Sequence, residues 1–370
     1  MELKLKVLHL SSEKTWRGGE QQIAYLIDEL NAMGIENLVA ARTDSAFEKY
    51  CTSKSISVKV FPFKNSFDLS TALGIKDLCK KEKVDIIHMH SSKSHGIGVL
   101  SAVLGNKVPL ILSRRVDFVP KQNMLTRWKY NHSAIKRIVG VSDKITSIMK
   151  HYVKDPSLCV TVHSGVDLNK FNHQQRTENS LRKEFGIDSR TRLIGNTSAL
   201  EAHKDYFTFI ETIKKLADDG VPLQALIIGE GSLKTQLQEF VKEKELTNKV
   251  IFTGFRKDIT RILPDLDVFL MTSNEEGLGT SVLDAFLAKV PVVATAAGGI
   301  PEMVIHEQTG MLAPIGDSRA LAGHIKRIFS DDALRGSVVN GASQKVASSF
   351  SKEMTAKKTL AVYREVLGTL

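Results

Sequence analysis

The residues best equipped for chemistry fall in one stretch, Ser273 to Glu302. Glu276 and Asp284 are two carboxylates with seven residues between them, and Gly277-Leu278-Gly279-Thr280 lies in that interval. Carboxylates accept hydrogen bonds from hydroxyls. The apolar run Val268 to Thr272 precedes them and reads as a short buried strand. Thr280 or Ser281 is placed to cap a helix running through Ala285 and Phe286. Strand, glycine loop and helix then gather backbone N–H groups at a strand's carboxyl end, where anions bind. Val290 to Thr295 forms a second buried strand, closed by Gly298-Gly299-Ile300-Pro301-Glu302.

Other reactive side chains stand at the ends of apolar runs. Lys204 lies in the loop Thr197 to Asp205, which follows the strand Leu193 to Asn196. The pair Gly18-Gly19 opens a helix after the strand Val7 to Leu10, and adjacent glycines let a ligand come close to the backbone. His88 and His90 end the strand starting at Asp85 and face one side of it, with Met89 on the other. Two histidines at this spacing could hold a metal, but no third ligand is evident. Lining a cleft or making core hydrogen bonds suits them better. Arg114, Arg115 and Asp117 end the strand Pro109 to Ser113. Gly229-Glu230-Gly231 ends the strand Leu223 to Ile228. It lacks the third glycine of a dinucleotide fingerprint, which disfavours a nicotinamide cofactor.

These groups need a scaffold that brings strand ends together. Strands and helices alternate along the whole chain. Asn37 to Ala41, Val58 to Phe63, Arg137 to Ser142, Val160 to Val166 and Val250 to Thr253 are further strands. Helices are expected with Ile23, Leu26, Ile27, Leu30 and Met33 on one face, over Leu69 to Lys83, around Ile97 to Leu104, over 318–348 and over about 351–368. Such alternation predicts doubly wound parallel sheets of α/β class. The 370 residues are enough for two domains.

The stretch around Glu276 resembles glycosyltransferase family 4. That family's signature is two acids seven residues apart around a glycine loop, then a Pro-Val-Val strand and a Gly-Gly-x-Pro-Glu turn. Here Asp284 replaces the usual glutamate. Ser164-Gly165-Val166-Asp167-Leu168-Asn169-Lys170-Phe171 is similar to the family's hinge. Gly254-Phe255-Arg256 looks like its base-binding turn. The resemblance covers nearly the whole chain. It implies a GT-B fold: two doubly wound Rossmann-like domains facing a central cleft, with the C-terminal helix crossing back to the first. Residues 1–170 would form the acceptor-side domain, with 351–370 as the crossing helix. Residues 171–350 would bind the nucleotide sugar.

The implied activity is a retaining transfer from a nucleotide-diphosphate sugar, UDP-sugar favoured, to a glycan or lipid-linked acceptor in cell-surface polysaccharide or glycolipid assembly. The resemblance assigns Lys204 to the leaving diphosphate and Glu276 to hydroxyls of the donor sugar. Asp284 would take the ribose hydroxyls, with a reach shorter than glutamate's by about 1.5 Å. Gly18, Gly19, Arg115, Ser198, Gly229, Phe255, Arg256, Leu278, Gly279 and Thr280 complete the expected substrate contacts. An arginine expected near Ser198 is missing. Arg17, Arg115, Arg256, or backbone N–H groups of Gly19 and Leu278 to Thr280, could replace it. The family's histidine after the fifth strand is also missing, and Arg115 stands near its place. No cofactor or metal is expected, because Asp265-Leu266-Asp267 reads as a helix-to-strand connection. Two other readings stay open: a sugar-nucleotide epimerase on the same fold, which would isomerise its donor without an acceptor, and a non-catalytic protein binding an anionic ligand.

Composition narrows the partners. No run of about eighteen apolar residues exists to span a membrane. Cys51, Cys79 and Cys159 lie far apart, which suits a reducing compartment. A cytoplasmic location is therefore expected, peripheral at the inner face of the membrane. Residues 1–178 hold 27 Lys and Arg against 17 Asp and Glu, while residues 179–370 hold 24 of each. The whole excess of +10 thus sits in the first half. Lys121, Arg127, Lys129, Lys136, Arg137, Lys144, Lys150 and Lys154 read as one candidate helical region, with Trp128 and Tyr130 among them. Basic and aromatic residues together suit an anionic bilayer. A nucleic-acid platform is not expected, with aromatics at 6%.

Overall fold

The computed structural model describes residues 5–172 and 180–369. The chain divides into two compact units, Met1–Gly165 with Lys352–Leu370, and Val166–Ser351.

The first unit runs β1 (Lys6–Ser11), α1 (Gly18–Ala32), β2 (Glu36–Arg42), α2 (Ala46–Ser53), β3 (Val58–Phe61), α3 (Leu69–Glu82) and β4 (Ile86–Met89). It continues with α4 (Ser92–Val103), β5 (Leu110–Arg114), α5 (Met124–Tyr130), β6 (Ile135–Gly140), α6 (Asp143–Tyr152) and β7 (Cys159–Thr161). The seven strands form one parallel sheet in the order β3-β2-β1-β4-β5-β6-β7. β1, β4 and β5 are almost wholly buried, as expected when helices cover both faces.

The second unit runs α7 (Ser180–Phe185), β8 (Arg192–Thr197), α8 (Tyr206–Asp218), β9 (Leu223–Ile228), α9 (Lys234–Glu243), β10 (Val250–Gly254), α10 (Ile259–Ile262) and β11 (Val268–Met271). Then follow α11 (Thr280–Leu287), β12 (Val292–Thr295), α12 (Ile300–Met303), β13 (Met311–Ala313), α13 (Ser318–Ser330) and α14 (Asp332–Ser349). Its six strands are parallel in the order β10-β9-β8-β11-β12-β13. Ile194, Phe209, Ile213, Ile227, Leu270, Val293 and Ile325 are among the side chains of its core.

The last helix, α15 (Lys352–Leu367), returns to the first unit. Leu360, Val362 and Tyr363 join Val7, Leu26, Leu30 and Val139 in one apolar cluster. The passage between units is fixed by main-chain pairing inside the second unit. Val166 bridges Ser351, and the Val166 N–H donates to the Phe350 carbonyl at 2.8 Å. Residues 166–170 accordingly belong to the second unit.

Three local expectations need correction. The basic region Lys121 to Lys154 is not one helix: α5 and α6 are separated by β6. Ile135, Ile138 and Val139 are buried in β6, which lies between β5 and β7, while Lys136 is exposed and Arg137 reaches Glu365. The stretch 318–348 breaks at Asp331, whose carboxylate accepts from the Leu334 N–H at 2.8 Å and starts a new helix. Neither Thr280 nor Ser281 caps α11. Gly279 does, at φ 90°, with no side-chain bond.

Candidate active site

In each sheet the strand order reverses once, between β1 and β4 and between β8 and β11. Ligands of open α/β sheets bind at such switch points, outside the strands' carboxyl ends. The loops after these four strands carry most of the residues expected to act.

In the second unit, the loop after β8 holds Lys204 and the loop after β11 holds Glu276. The Lys204 ammonium donates to Glu276 Oε2, and Ser273 Oγ donates to the same oxygen at 3.3 Å. Bonds to main-chain carbonyls lock the two loops together. Thr272 Oγ1 donates to the Asp205 carbonyl at 2.9 Å, and the Asn274 N–H donates to the His203 carbonyl at 3.0 Å. Asp205 takes a left-handed conformation at φ 44° and caps α8 through Thr208. This turn ends the loop and places Lys204 over the sheet.

Glu276 is held from behind as well. Its carbonyl accepts from the Gly299 N–H at 3.0 Å, so the glycine turn before α12 braces the carboxylate loop. Thr295 Oγ1 donates to the Ser273 carbonyl at 2.5 Å. Gly279 lies directly against Glu276: a Cβ there would stand 3.2 Å from Glu276 Cγ. Leu278 is buried, and Gly279 and Thr280 open α11, whose first-turn N–H groups receive no side-chain cap. A lysine, a carboxylate and a free helix start therefore meet at one strand-end crevice. The set can hold a sugar by its hydroxyls and an anion by its charge.

Gly229 and Ser198 shape the neighbouring loop. A Cβ on Gly229 would fall 2.0 Å from the Ser198 carbonyl oxygen, and one on Gly231 would fall 2.4–2.6 Å from Leu200 main-chain atoms. These glycines let the Lys204 loop lie on the β9 turn. Ser198 Oγ bonds Tyr206 Oη at 2.8 Å, and Tyr206 Oη donates to Asn196 Oδ1 at 3.0 Å. Ser198 is thus part of a buried polar chain.

Asp284 sits one turn into α11, where both of its oxygens accept from Lys170 Nζ at 2.7 and 2.8 Å. Burial pushes its carboxyl up, and Lys170 opposes that shift. Lys170 stands in the hinge-like motif, but its pairing with Asp284 escaped the sequence reading, because no local periodicity pairs residues so far apart in the chain. Arg256 does not offer a free cation. Glu184 and Asp258 take its guanidinium and hold its pKa above the usual arginine value. Phe255 beside it is 69% exposed, a ring open to a stacking partner. Asp265 and Asp267 are structural, as their sequence context indicated. Asp265 accepts from the Leu181 N–H, while Asp267 accepts from Arg182, Arg192 and the Leu193 N–H.

At the first unit's switch point, β1 and β4 bring His9, His88 and His90 together. His9 Nδ1 lies 3.0 Å from His90 Nε2, and His9 Nε2 lies 2.9 Å from Asn37 Oδ1. His88 bonds Tyr363 Oη at 2.6 Å and Ser113 Oγ at 2.8 Å. Their nitrogens approach within 4.8 Å, as a metal would need, yet most already have hydrogen-bond partners. His9, on β1, is the third member that the sequence did not reveal. Burial is the chief cause that lowers all three pKa values, that of His9 to about 4. The cluster is a neutral core network.

Arg115 lies above it, facing the start of α1. A Cβ on Gly19 would meet Arg115 Cδ at an ordinary 3.8 Å, so nothing in the fold itself requires glycine there. Arg115 Nη1 donates to Ser164 Oγ at 3.4 Å, while its buried Nε has no partner. Burial lowers its pKa to about 10, against the opposing charge of Glu20. Gly18 and Gly19 open α1, and the Arg17 N–H donates to Glu20 Oε2 at 3.1 Å.

Two parallel doubly wound sheets, with a lysine–carboxylate pair beside a glycine-led helix at the second switch point, define the GT-B class of enzymes that transfer sugars. Both halves of the chain match glycosyltransferase families, the first half family 4. The profile described as Glycosyltransferase Family 4 matches residues 16–170, and that described as Glycosyl transferases group 1 matches residues 177–345. The chain is 24% identical over 309 residues to N-acetyl-alpha-D-glucosaminyl L-malate synthase of Bacillus anthracis, covering 81% of this chain and 80% of that one. It is 26% identical to UDP-Gal:alpha-D-GlcNAc-diphosphoundecaprenol alpha-1,3-galactosyltransferase of Escherichia coli, covering 74% and 76%. Its fold is similar to a glycosyltransferase from Rickettsia africae, with a TM-score of 0.85, 20% identity and coverage of 99% and 100%. It also matches HepE of Anabaena, solved with UDP and glucose, with a TM-score of 0.82, 21% identity and the same coverage.

Proposed function

We propose that this enzyme transfers a sugar from a UDP-sugar to a lipid-linked or glycan acceptor with retention of anomeric configuration, in cell-surface polysaccharide or glycolipid assembly. The observation that carries the reading is the Lys204–Glu276 pair at the β8/β11 switch point. The second unit takes the nucleotide sugar and the first takes the acceptor. As the anomeric carbon–oxygen bond breaks, negative charge grows on the diphosphate. Lys204 and the first-turn N–H groups of α11 stabilise it where it develops. Glu276 orients the donor sugar by its hydroxyls. The acceptor hydroxyl attacks from the face the diphosphate leaves, and its proton passes to a diphosphate oxygen. Asp284, fixed by Lys170, presents its remaining lone pairs to the ribose. Phe255 is offered to the base.

UDP is favoured because the galactosyltransferase relative names a UDP-sugar and HepE was solved with UDP. Relatives named for undecaprenol-linked acceptors support the lipid-linked alternative. Such an enzyme works at the cytoplasmic face of a membrane. Among the described residues no helix is long and apolar enough to cross one; association at that face is peripheral in this reading.

Thermal shift with UDP, GDP and ADP tests the donor. A ligand that binds only the folded chain adds about 2.7 kcal/mol at a hundred times its Kd. UDP should give the largest rise, and no rise with any of the three would overturn the reading. An α-linked product from an α-linked donor, read by NMR coupling, tests retention; a β-linked product would refute it. Asp265 and Asp267 are occupied by protein partners, so transfer is expected to proceed without a metal. Activity should survive EDTA. Loss on chelation and recovery with manganese would show that a metal is needed.

A further inference from the structure

Five large apolar side chains lie open to solvent within a single run of eleven residues. Phe118, Val119, Met124, Leu125 and Trp128 are 54, 56, 88, 51 and 46% exposed. The run is not loosely attached. Arg114 donates to Tyr130 Oη at 2.7 Å and to the Phe118 carbonyl, and its guanidinium lies 5.1 Å from the centre of the Phe118 ring. Tyr152 Oη, on α6, donates to the Lys121 carbonyl at 2.8 Å. Of all α5, only Tyr130 is buried. The helix is pinned from beneath while its other face covers nothing.

The surroundings are basic. Residues 118–154 contain eight Lys and Arg and one acid, Asp143. Glu365 takes up the charge of Arg137. Lys121, Arg127, Lys144, Lys150 and Lys154 are exposed. Two open grooves flank His151 and Tyr152. One, of about 580 Å³, is lined by Met124, Trp128, Arg127 and Lys154; the other, of about 370 Å³, by Val119, Ile148 and Lys144.

We infer that this face of the first unit, built from residues 118–128 and α6, docks on an anionic phospholipid bilayer. The inference rests on the reading of a lipid-linked acceptor and names the surface that would meet its membrane. Charge complementarity selects the occupant. Lysine and arginine heads reach phosphate groups while their stems lie along apolar surface. Met124 and Leu125 enter the acyl boundary, and Trp128 sits at the headgroup level, where its amphipathic ring is favoured. A nucleic acid would satisfy the charge but leave Met124 and Leu125 in water.

The full chain is sedimented with phosphatidylcholine vesicles and with vesicles containing phosphatidylglycerol. Binding should occur with the anionic vesicles alone and fade as salt rises. The triple variant Met124→Ser, Leu125→Ser, Trp128→Ser should partition at least about tenfold more weakly, since each replaced side chain loses its apolar burial. The chain has two tryptophans, so Trp16→Phe leaves Trp128 as the sole reporter. Its emission should shift to the blue on anionic vesicles. Absence of sedimentation at low salt, equal sedimentation on both vesicle types, or an unmoved Trp128 emission would each overturn the inference. UDP-induced thermal stabilisation is measured on the same samples. A triple variant that keeps it has lost docking and not the donor site, whereas a wild-type chain that lacks it while binding vesicles refutes the donor reading alone.

Discussion

At the scale of single residues, the Lys204–Glu276 pair joins opposite charges across two loops already fixed by bonds to the Asp205 and His203 carbonyls. Each group should act more strongly on the transition state than on bound donor, because charge develops only as the diphosphate leaves. Glu276→Gln and Lys204→Ala should each lower kcat at least about a hundredfold, a loss of about 2.7 kcal/mol. Normal turnover in a folded variant, measured with donor and acceptor, would remove that residue from the mechanism.

Lys170 and Asp284 make a different kind of pair. Asp284 is already pushed up by burial, and Lys170 is what opposes protonation. Removing the lysine leaves a buried carboxylate without its cation, which typically costs about 3–5 kcal/mol. Lys170→Met should therefore destabilise the chain more at pH 7 than at pH 5, since Asp284 can take a proton at the lower pH. The sign follows from linkage: the variant's Asp284 has a raised folded pKa, so stability falls as pH rises through it. Urea melts at the two pH values check this. An equal loss at both would mean that Asp284 is not the group left unpaired.

At the scale of elements, the β8–α8 connection depends on glycines in the next strand's turn. Gly229 has φ 152°, and a Cβ there would fall 2.0 Å from the Ser198 carbonyl oxygen. Gly229→Ala cannot be absorbed by a rotamer change, because the obstacle is main chain. Overpacking of this kind costs about 1–3 kcal/mol. The strain falls on the loop that ends in Lys204, so the variant should lose UDP affinity as well as melting temperature. Calorimetric titration and a thermal melt would show it. Unchanged affinity with a lowered melting temperature would place the strain elsewhere.

At the scale of the whole molecule, the buried titratable histidines are unevenly divided. His9, His88, His90 and His95 all lie in the first unit, and burial lowers each below its ordinary pKa of about 6.5. They are neutral in the folded chain and protonate once it unfolds. Their stability contribution is complete above pH 6.5 and declines below it, towards the folded value of about 4 for His9. Each such histidine should remove about 1.4 kcal/mol per pH unit in that window. The first unit should unfold before the second on acidification, giving two transitions at pH 5 where pH 7 shows fewer. Hydrogen exchange mapped to each sheet would test this, and earlier opening of the second unit would contradict it.

Resemblance to a known family put Lys204 and Glu276 forward for one activity, whereas the sequence alone determined the order of strands and helices and the strand ends at which reactive residues collect. These rest on short-range physics. Buried parallel strands read as apolar runs, and glycine turns mark where backbone must bend or be approached. Helix breaks were less legible. Asp331 and Gly279 end and start helices through local bonds that composition does not separate from a continuous run. Contacts distant in sequence were invisible. Lys170 meets Asp284, Arg256 meets Glu184, and His9 completes the histidine cluster only because the fold brings their elements together. Exposure was likewise a tertiary outcome. Met124, Leu125 and Trp128 have the composition of core residues, and only the anchoring of α5 through Tyr130 and Arg114 turned them outward. An apolar side chain's chemistry is fixed by its sequence, but what covers it is decided by the rest of the molecule.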